Sequence, residues 1–443
     1  MPSRSPGGPR SPCGVAAVPS RSFARCRVFE KSNPWRMWIV SALIAVMPLT
    51  FALPAKAKAV PAAILFLAGL WALLRDPETR AAYRRAAWVI GPAALAFVFW
   101  LANVAGHGVD MREFDVTSHI LAFLLIAANF ASLLRKVVLR TGFSLTAAVL
   151  GCICLEQHYI EGIDRVYGIN NGLWGAIEFG MFILVLSLIA VAQAMRKDLR
   201  RGERLLHGLC AALGLYGAIL TQSRGPLLAF LPAFAIVVLV QSRRTGRWRE
   251  GLLFIALGVG TAVAAVATLH GEMFSRFAAV SEEMSTYSEQ DATGAVRERL
   301  EMWRTARMAV EDHPLAGLGL NQFGDYARAR IAEGKVNATV ERYDHPHSEY
   351  LEWAVTGGIP GLVVLILLFG GALVFFGRNA LHPDNAIAMP ATAGLSTACM
   401  YTLCALTDNV FYRAMPHSLY FFLTLGLAVY IGRQLSASNQ AAR

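Results

Sequence analysis

The sequence predicts an all-α protein that crosses a membrane about twelve times and carries one helical loop on its outer side, and three observations predict it. Its 443 residues are 55% hydrophobic with a mean hydropathy of +0.45, more apolar side chain than a soluble core of that length needs. Apolar runs near the thickness of a bilayer's hydrocarbon recur along the chain, at 38–54, 59–74, 86–105, 118–134, 141–157, 172–195, 205–222, 226–241, 251–269, 350–377, 386–407 and 416–432. The links between these runs alternate in charge.

That alternation orients the chain. One set of links, with both termini, holds 26 of the 41 Lys and Arg; the other holds Lys56, Lys58, Arg112, Arg165, Arg224 and Arg413, apart from nine in one long loop. Basic links stay in the cytoplasm, and long loops are exempt from the count, so both termini are inside and the loop is outside. The organisation is then a disordered basic tail over 1–37, nine spans over 38–269, a periplasmic helical loop over 270–349, and three spans over 350–434. An A-x-A pattern at Ala55, Ala57 and Ala59 also fits a signal-peptide site, whose use would leave the other orientations unchanged.

Composition also excludes. The formal charge of +11 is spread over the cytoplasmic links, so it does not mark a nucleic-acid surface. The seven cysteines lie in the tail or in apolar runs and form neither a disulfide framework nor a zinc site. A transporter of twelve spans predicts repeat symmetry and a long central loop inside; here the long loop is outside, after the ninth span, and the span interiors hold few ionisable residues apart from Glu178.

The outer loop contains its own helices. In the stretch 294–334, Val296, Leu300, Trp303 and Val310 repeat at helical spacing while Arg297, Glu301 and Arg304 share another face. "PLAGLGL" then breaks that helix, and a second begins near Gln322. A solvated face of alternating charge accounts for Arg297, Arg299, Arg304 and Arg307 among Glu298, Glu301 and Glu311 unless a ligand needs them.

The polar residues of interest thus face outward, where no ATP is met, and the chain has neither a phosphate loop nor a dinucleotide fingerprint. Bond formation there requires a donor activated elsewhere, and a lipid diphosphate is the obvious class. "TQSRGPLLAF" suits one: Pro226 fits the first position of a helix, leaving the N–H groups of Leu227 and Leu228 beside Arg224 as an anion site. The competing reading is an arginine that snorkels to the headgroups.

"DHPHSEYLEWAVTGGIPG", from Asp344, places His345 and His347 at the mouth of a span. Pro346 suits a helix start, putting His347 in the first turn of a short helix with Tyr350, Leu351 and Ala354, which Gly357, Gly358 and Pro360 then break. A neutral imidazole there can accept a proton. A polar anchor, or a metal held by the two histidines and a carboxylate, are the alternatives, the second lacking a third ligand at recognisable spacing. Asp408 and Arg413 are further candidates for the outer cavity, as they are for capping and anchoring.

These residues resemble the O-antigen ligases and their relatives, the O-antigen polymerases and protein-glycosylating oligosaccharyltransferases. The histidine pattern, H-[NSQ], nine residues, then G-x-x-[GTY], is met by His347-Ser348, Glu349 to Gly357, and Gly358 to Gly361; the arginine pattern R-x-x-x-L is met by Arg224 and Leu228. The segment from Arg299 to Phe323 is similar to the family's loop, and the likeness covers roughly 205–377. The resemblance implies a fold like the GT-C glycosyltransferases and a place in the bacterial inner membrane. It implies lipopolysaccharide biosynthesis: transfer of a glycan from undecaprenyl diphosphate to a sugar hydroxyl of the lipid A core, with inversion and without metal or other cofactor. His347 would be the general base, and Arg224 with Arg299, or Arg297 in its place, would bind the diphosphate; His345, Asp408 and Arg413 would support them. The chain stops about ten residues after its last run, without the extra domain usual in the protein-glycosylating relatives, which favours the ligase over those.

Overall fold

The computed structural model describes residues 34–132, 136–169, 175–268, 283–288 and 292–441. The basic tail up to residue 33 and the start of the outer loop, 269–282, lie outside the described residues.

Helices occupy all twelve intervals expected to span. The first group is α1 (Pro34–Ala52), α2 (Ala55–Arg75), the short α3 (Pro77–Arg85), α4 (Ala87–His107), α5 (Asp115–Ile126) with α6 (Ala128–Ser132), and α7 (Lys136–Tyr159). Then come α8 (Ala176–Ala194), α9 (Arg201–Leu220), α10 (Arg224–Thr245) and α11 (Trp248–Thr268). After the outer loop with α12 (Ala295–Asp312) and α13 (Phe323–Ala332) follow α14 (Glu349–Ala380), α15 (Asn385–Cys404) and α16 (Ala414–Ala441). The described residues contain no strand.

Eight of these stretches are long and apolar enough to cross a membrane unaided. Of the remaining four, α1 has a shorter apolar part, Met37–Ala52, and α9 opens on the charged residues Arg201, Glu203 and Arg204; the others are α7 and α11. The molecule is an all-α, polytopic membrane protein. Helix α8 is buried on every side from Phe179 to Ala194, and α16 is at least as enclosed; the two form the centre of the bundle. A helix that is apolar all round has no solvent face to offer and so becomes the centre about which the others pack.

At one end of this bundle, the outer loop forms a cap. Met302, Ala306 and Ala309 of α12 pack with Phe323 and Ala327 of α13 in a small core of their own. Glu301 departs from the solvated face expected of it. It is fully buried and accepts from Tyr287 Oη at 2.5 Å, Arg304 Nη1 at 2.9 Å and the Asn337 N–H at 2.9 Å. Three donors to one buried carboxylate offset the cost of removing it from water.

The cap is fastened to the bundle where α14 breaks. Gly358 has φ 65° and ψ −164°, a conformation open essentially to glycine alone, and the helix above it loses its regular bonding. Backbone groups freed inside a membrane protein need partners. The strap after α12 supplies them: the Leu318 N–H donates to Val355 O at 2.8 Å, Gly319 N–H to Thr356 O at 3.0 Å, and Ile359 N–H to Pro314 O at 2.7 Å. From α4, Asn103 Nδ2 donates to the same Thr356 carbonyl at 3.1 Å, and His107 meets Gly317 O at 3.3 Å.

A Cβ on Gly358 would lie 2.6 Å from the Pro314 carbonyl oxygen, in addition to the conformational strain. Gly358→Ala is expected to destabilise the docked cap by about 1–3 kcal/mol. The checks are a lower unfolding midpoint in detergent and faster proteolysis within 292–345 than in the wild type; an unchanged midpoint and cleavage rate would contradict the fastening role.

Candidate functional site

Helix α10 begins at Arg224, two residues before the proline expected to start it, with Ser223 preceding it in an extended conformation. The Leu227 N–H is therefore spent on the Ser223 carbonyl, at 3.3 Å, and the amides that open the helix are those of Arg224 and Gly225. Proline at the third position is no obstacle, because the first turn of a helix has no intrahelical acceptor for its N–H groups.

Those first residues of α10 line a cavity of about 460 Å³ between the bundle and α12. Arg224 and Arg299 both face it, with Arg165 from the loop after α7 and Asp408 from the turn after α15. The apolar stripe of α12, Val296, Leu300 and Trp303, completes its wall together with Leu228. Arg165 escaped the sequence analysis as a site residue. It sits in an irregular loop with no motif around it, and its one signal was membership of the small set of outward cations.

Arg297 and Arg299 are separated by this geometry. Two residues along a helix lie on different faces: Arg299 enters the cavity, while Arg297 Nη2 donates to Thr286 Oγ1 at 2.6 Å and Arg297 is not among the lining residues. Arg413 is engaged elsewhere, its Nε 2.7 Å from Glu178 Oε1, so the ionisable residue inside α8 has a partner. That pair braces the start of α16 against α8.

His347 does not enter the helix as expected. It has φ 50°, in the left-handed region, and the helix starts two residues later, after Ser348 in extended conformation. The left-handed step turns the imidazole back toward the 405–408 turn, where Nδ1 lies 3.1 Å from Asp408 Oδ1. The backbone repeats the junction: Glu349 N–H donates to Ala405 O at 2.9 Å and to Asp408 O at 3.2 Å. On the other side Trp303 Nε1 donates to the Pro346 carbonyl at 3.0 Å, tying the histidine loop to α12. Arg299 and His347 together line a further cavity of about 250 Å³ beside Tyr343. Arg299 therefore faces both spaces, and Asp408 joins the first to His347.

Burial works against the Asp408 carboxylate, but the hydrogen bond and charge of His347, the Asn409 N–H at 2.9 Å and the field of Arg299 outweigh it and hold its pKa below the usual carboxylate value. An ionised carboxylate can only accept, so Nδ1 of His347 carries the proton. In the neutral ring Nε2 then bears the lone pair, the arrangement a general base requires. His345 packs between His347 and Tyr412, its ring tilted against both, with centroids 4.5 and 4.4 Å away. Burial, reinforced by His347 and Arg413 and opposed by Asp408, pushes the His345 imidazolium down to about 4. His345 is thus a neutral ring at neutral pH and offers no charge to an anion. Among the described residues no group of three or more His, Cys, Asp and Glu is arranged to hold a metal.

Residues 209–366 match the family model described as O-antigen ligase, Wzy_C. The interval includes Arg224, Arg299, His345 and His347 and ends before Asp408. Over 288 residues the chain is 21% identical to an uncharacterized protein of Haemophilus influenzae, a stretch that covers 64% of this chain and 71% of that protein.

The His345 shift gives a pH dependence of stability. Its folded pKa lies below the unfolded value of about 6.5, so between the two the unfolded chain binds the extra proton and stability rises with pH. The contribution is intact above about 6.5 and lost as pH falls toward 4. Unfolding midpoints measured across that window should drop more steeply for the wild type than for His345→Asn. Parallel curves would contradict the burial of a neutral imidazole.

Proposed function

We propose, proceeding from the O-antigen ligase domain matched over residues 209–366, that this protein is a membrane glycosyltransferase that moves a glycan from undecaprenyl diphosphate to a sugar hydroxyl of the lipid A core. The single observation that carries this reading is the pairing of His347 with Asp408 at 3.1 Å on the rim of a cavity lined by Arg224 and Arg299.

The chemistry follows from that arrangement. The donor's diphosphate sits among Arg224, Arg299 and Arg165, with the opening amides of α10 adding the positive end of the helix. Each charge-assisted contact to phosphate contributes about 1.5–3 kcal/mol, well above a solvated ion pair. The acceptor hydroxyl approaches Nε2 of His347. As its oxygen attacks the anomeric carbon, its proton passes to Nε2, and the carbon–oxygen bond to the diphosphate breaks with the electron pair leaving on the phosphate oxygen. One in-line displacement inverts the anomeric configuration. Asp408 stabilises the imidazolium that forms, and the arginines stabilise the charge that develops on the leaving group. By the positive-inside rule the basic links would lie in the cytoplasm, and the cap and the site would then face the periplasm of the inner membrane.

The test is transfer by purified protein in liposomes, with EDTA present, from undecaprenyl-diphosphate glycan to lipid A core. Wild type should glycosylate the core despite the chelator, and His347→Ala should lower kcat by about 10²–10⁴-fold. Arg224→Ala and Arg299→Ala should each raise the donor KM by about tenfold or more, the equivalent of one lost charge-assisted contact. Growth of the donor into longer polymer with the core left bare would favour a polymerase, and turnover that survives His347→Ala would remove the histidine from the mechanism.

A further inference from the structure

Across the turn 407–412 from the arginine cavity lies a second chamber, of about 90 Å³, and the two share no lining residue. Glu349, Glu352, Asn409 and His417 line it, all buried, at 2, 9, 2 and 2% exposure, beside Trp100 and Trp353. The Glu349 oxygens are used, accepting from Trp353 Nε1 at 2.6 Å and from the Phe411 N–H at 3.0 Å. The others are under-satisfied: Glu352 accepts from Thr356 Oγ1 at 3.2 Å and has the Asn409 amide beside it, and among the described residues the remaining capacity of that carboxyl and amide, with Nδ1 of His417, has no close partner. Buried polar atoms are rarely left unpaired, and three such side chains around one space call for an occupant.

The lining states what that occupant is. Among the described residues no lysine or arginine borders the chamber, while Glu113 adds a third carboxyl group at the mouth, where it accepts from Asn321 Nδ2 at 2.5 Å. With no lysine or arginine in the lining nothing offsets the charge of a phosphate, and the under-satisfied oxygens of Glu352 and Asn409 call for donors, so the ligand brings O–H or N–H donors and no phosphate. The indole faces suit the C–H face of a ring. At about 30 Å³ per water, the enclosed part takes the hydroxyl-bearing edge of a sugar and leaves its body at the mouth. Position decides which substrate it serves. An in-line displacement sets nucleophile and leaving group on opposite sides, and this chamber lies away from Arg224, connected to His347 through the adjoining rings of His345 and Tyr412.

We infer that this chamber is the subsite for an unphosphorylated, neutral or amino sugar of the acceptor. The inference rests on the transferase reading. It is tested in the same liposome assay with methyl α-glucoside, methyl α-glucosaminide and methyl α-glucoside 6-phosphate as inhibitors of the wild type. The first two should compete with the acceptor and not with the donor, and the phosphorylated one should not compete. Glu352→Gln and Asn409→Ala should raise the acceptor KM by about tenfold, with kcat and donor KM within about twofold of wild type. A wild type that transfers glycan but ignores the neutral and amino glycosides, or is inhibited equally by the 6-phosphate, overturns the subsite alone. Competition against the donor overturns its assignment to the acceptor. A wild type that transfers nothing to any acceptor overturns the transferase reading and this inference with it.

Discussion

The break in α14 at Gly358, and the strap that satisfies the backbone freed there, is the constraint on which the rest of the structure depends. A bare gap in a membrane helix leaves carbonyls and N–H groups with no water to turn to. Here Leu318, Gly319 and Pro314 of the strap take up those groups, so the cap is held by backbone bonds whose geometry the chain path dictates. Helix α12 precedes the strap directly, and its register fixes Arg299 against Arg224 while Trp303 grips the Pro346 carbonyl. The same α14 carries the histidine loop at its start. One glycine thus positions α12, which carries Arg299, relative to the loop that carries His347.

The turn 407–412 divides charge. On its Asp408 side three arginines gather around a space with apolar walls, and on its Asn409 and Tyr412 side three glutamates surround another with no lysine or arginine among its lining residues. Asp408 belongs electrostatically to the first side and mechanically to His347. The hydrogen bond and charge of His347, then the Asn409 N–H and the field of Arg299, outweigh its burial and hold its pKa below the usual carboxylate value, which fixes the tautomer of the ring it holds. A phosphate would find three arginines in the basic cavity and neither lysine nor arginine in the other chamber, which is the basis for assigning the two spaces to different substrates in the proposed reaction.

Much of this was legible in the residues. Spans announce themselves by length and hydropathy, and the two cap helices by the spacing of Val296, Leu300 and Trp303; that stripe, meant for a core, lines the cavity instead. The break at Gly357 to Pro360 was written in residue types with few other uses. What stayed hidden depended on long-range contact. Glu301 and Arg304 read as a solvated pair because periodicity reports the spacing of neighbours and says nothing of Tyr287 or Asn337 arriving from elsewhere. His347 read as helical because its left-handed backbone is enforced by the 405–408 turn, some sixty residues away in sequence, and not by any local signal. Arg165 had no pattern around it at all.

The central claim is that the arginine cavity beside His347 holds a lipid diphosphate. The most direct measurement is a cryo-electron-microscopy map of the protein in nanodiscs loaded with undecaprenyl diphosphate. The account requires diphosphate density between Arg224 and Arg299, within hydrogen-bond distance of both guanidinium groups, with the isoprenoid running out past Leu228. Density at the opposite end of the bundle, in the cavity of about 380 Å³ beside Arg140 and Arg196, with the Arg224 site unfilled, would contradict it.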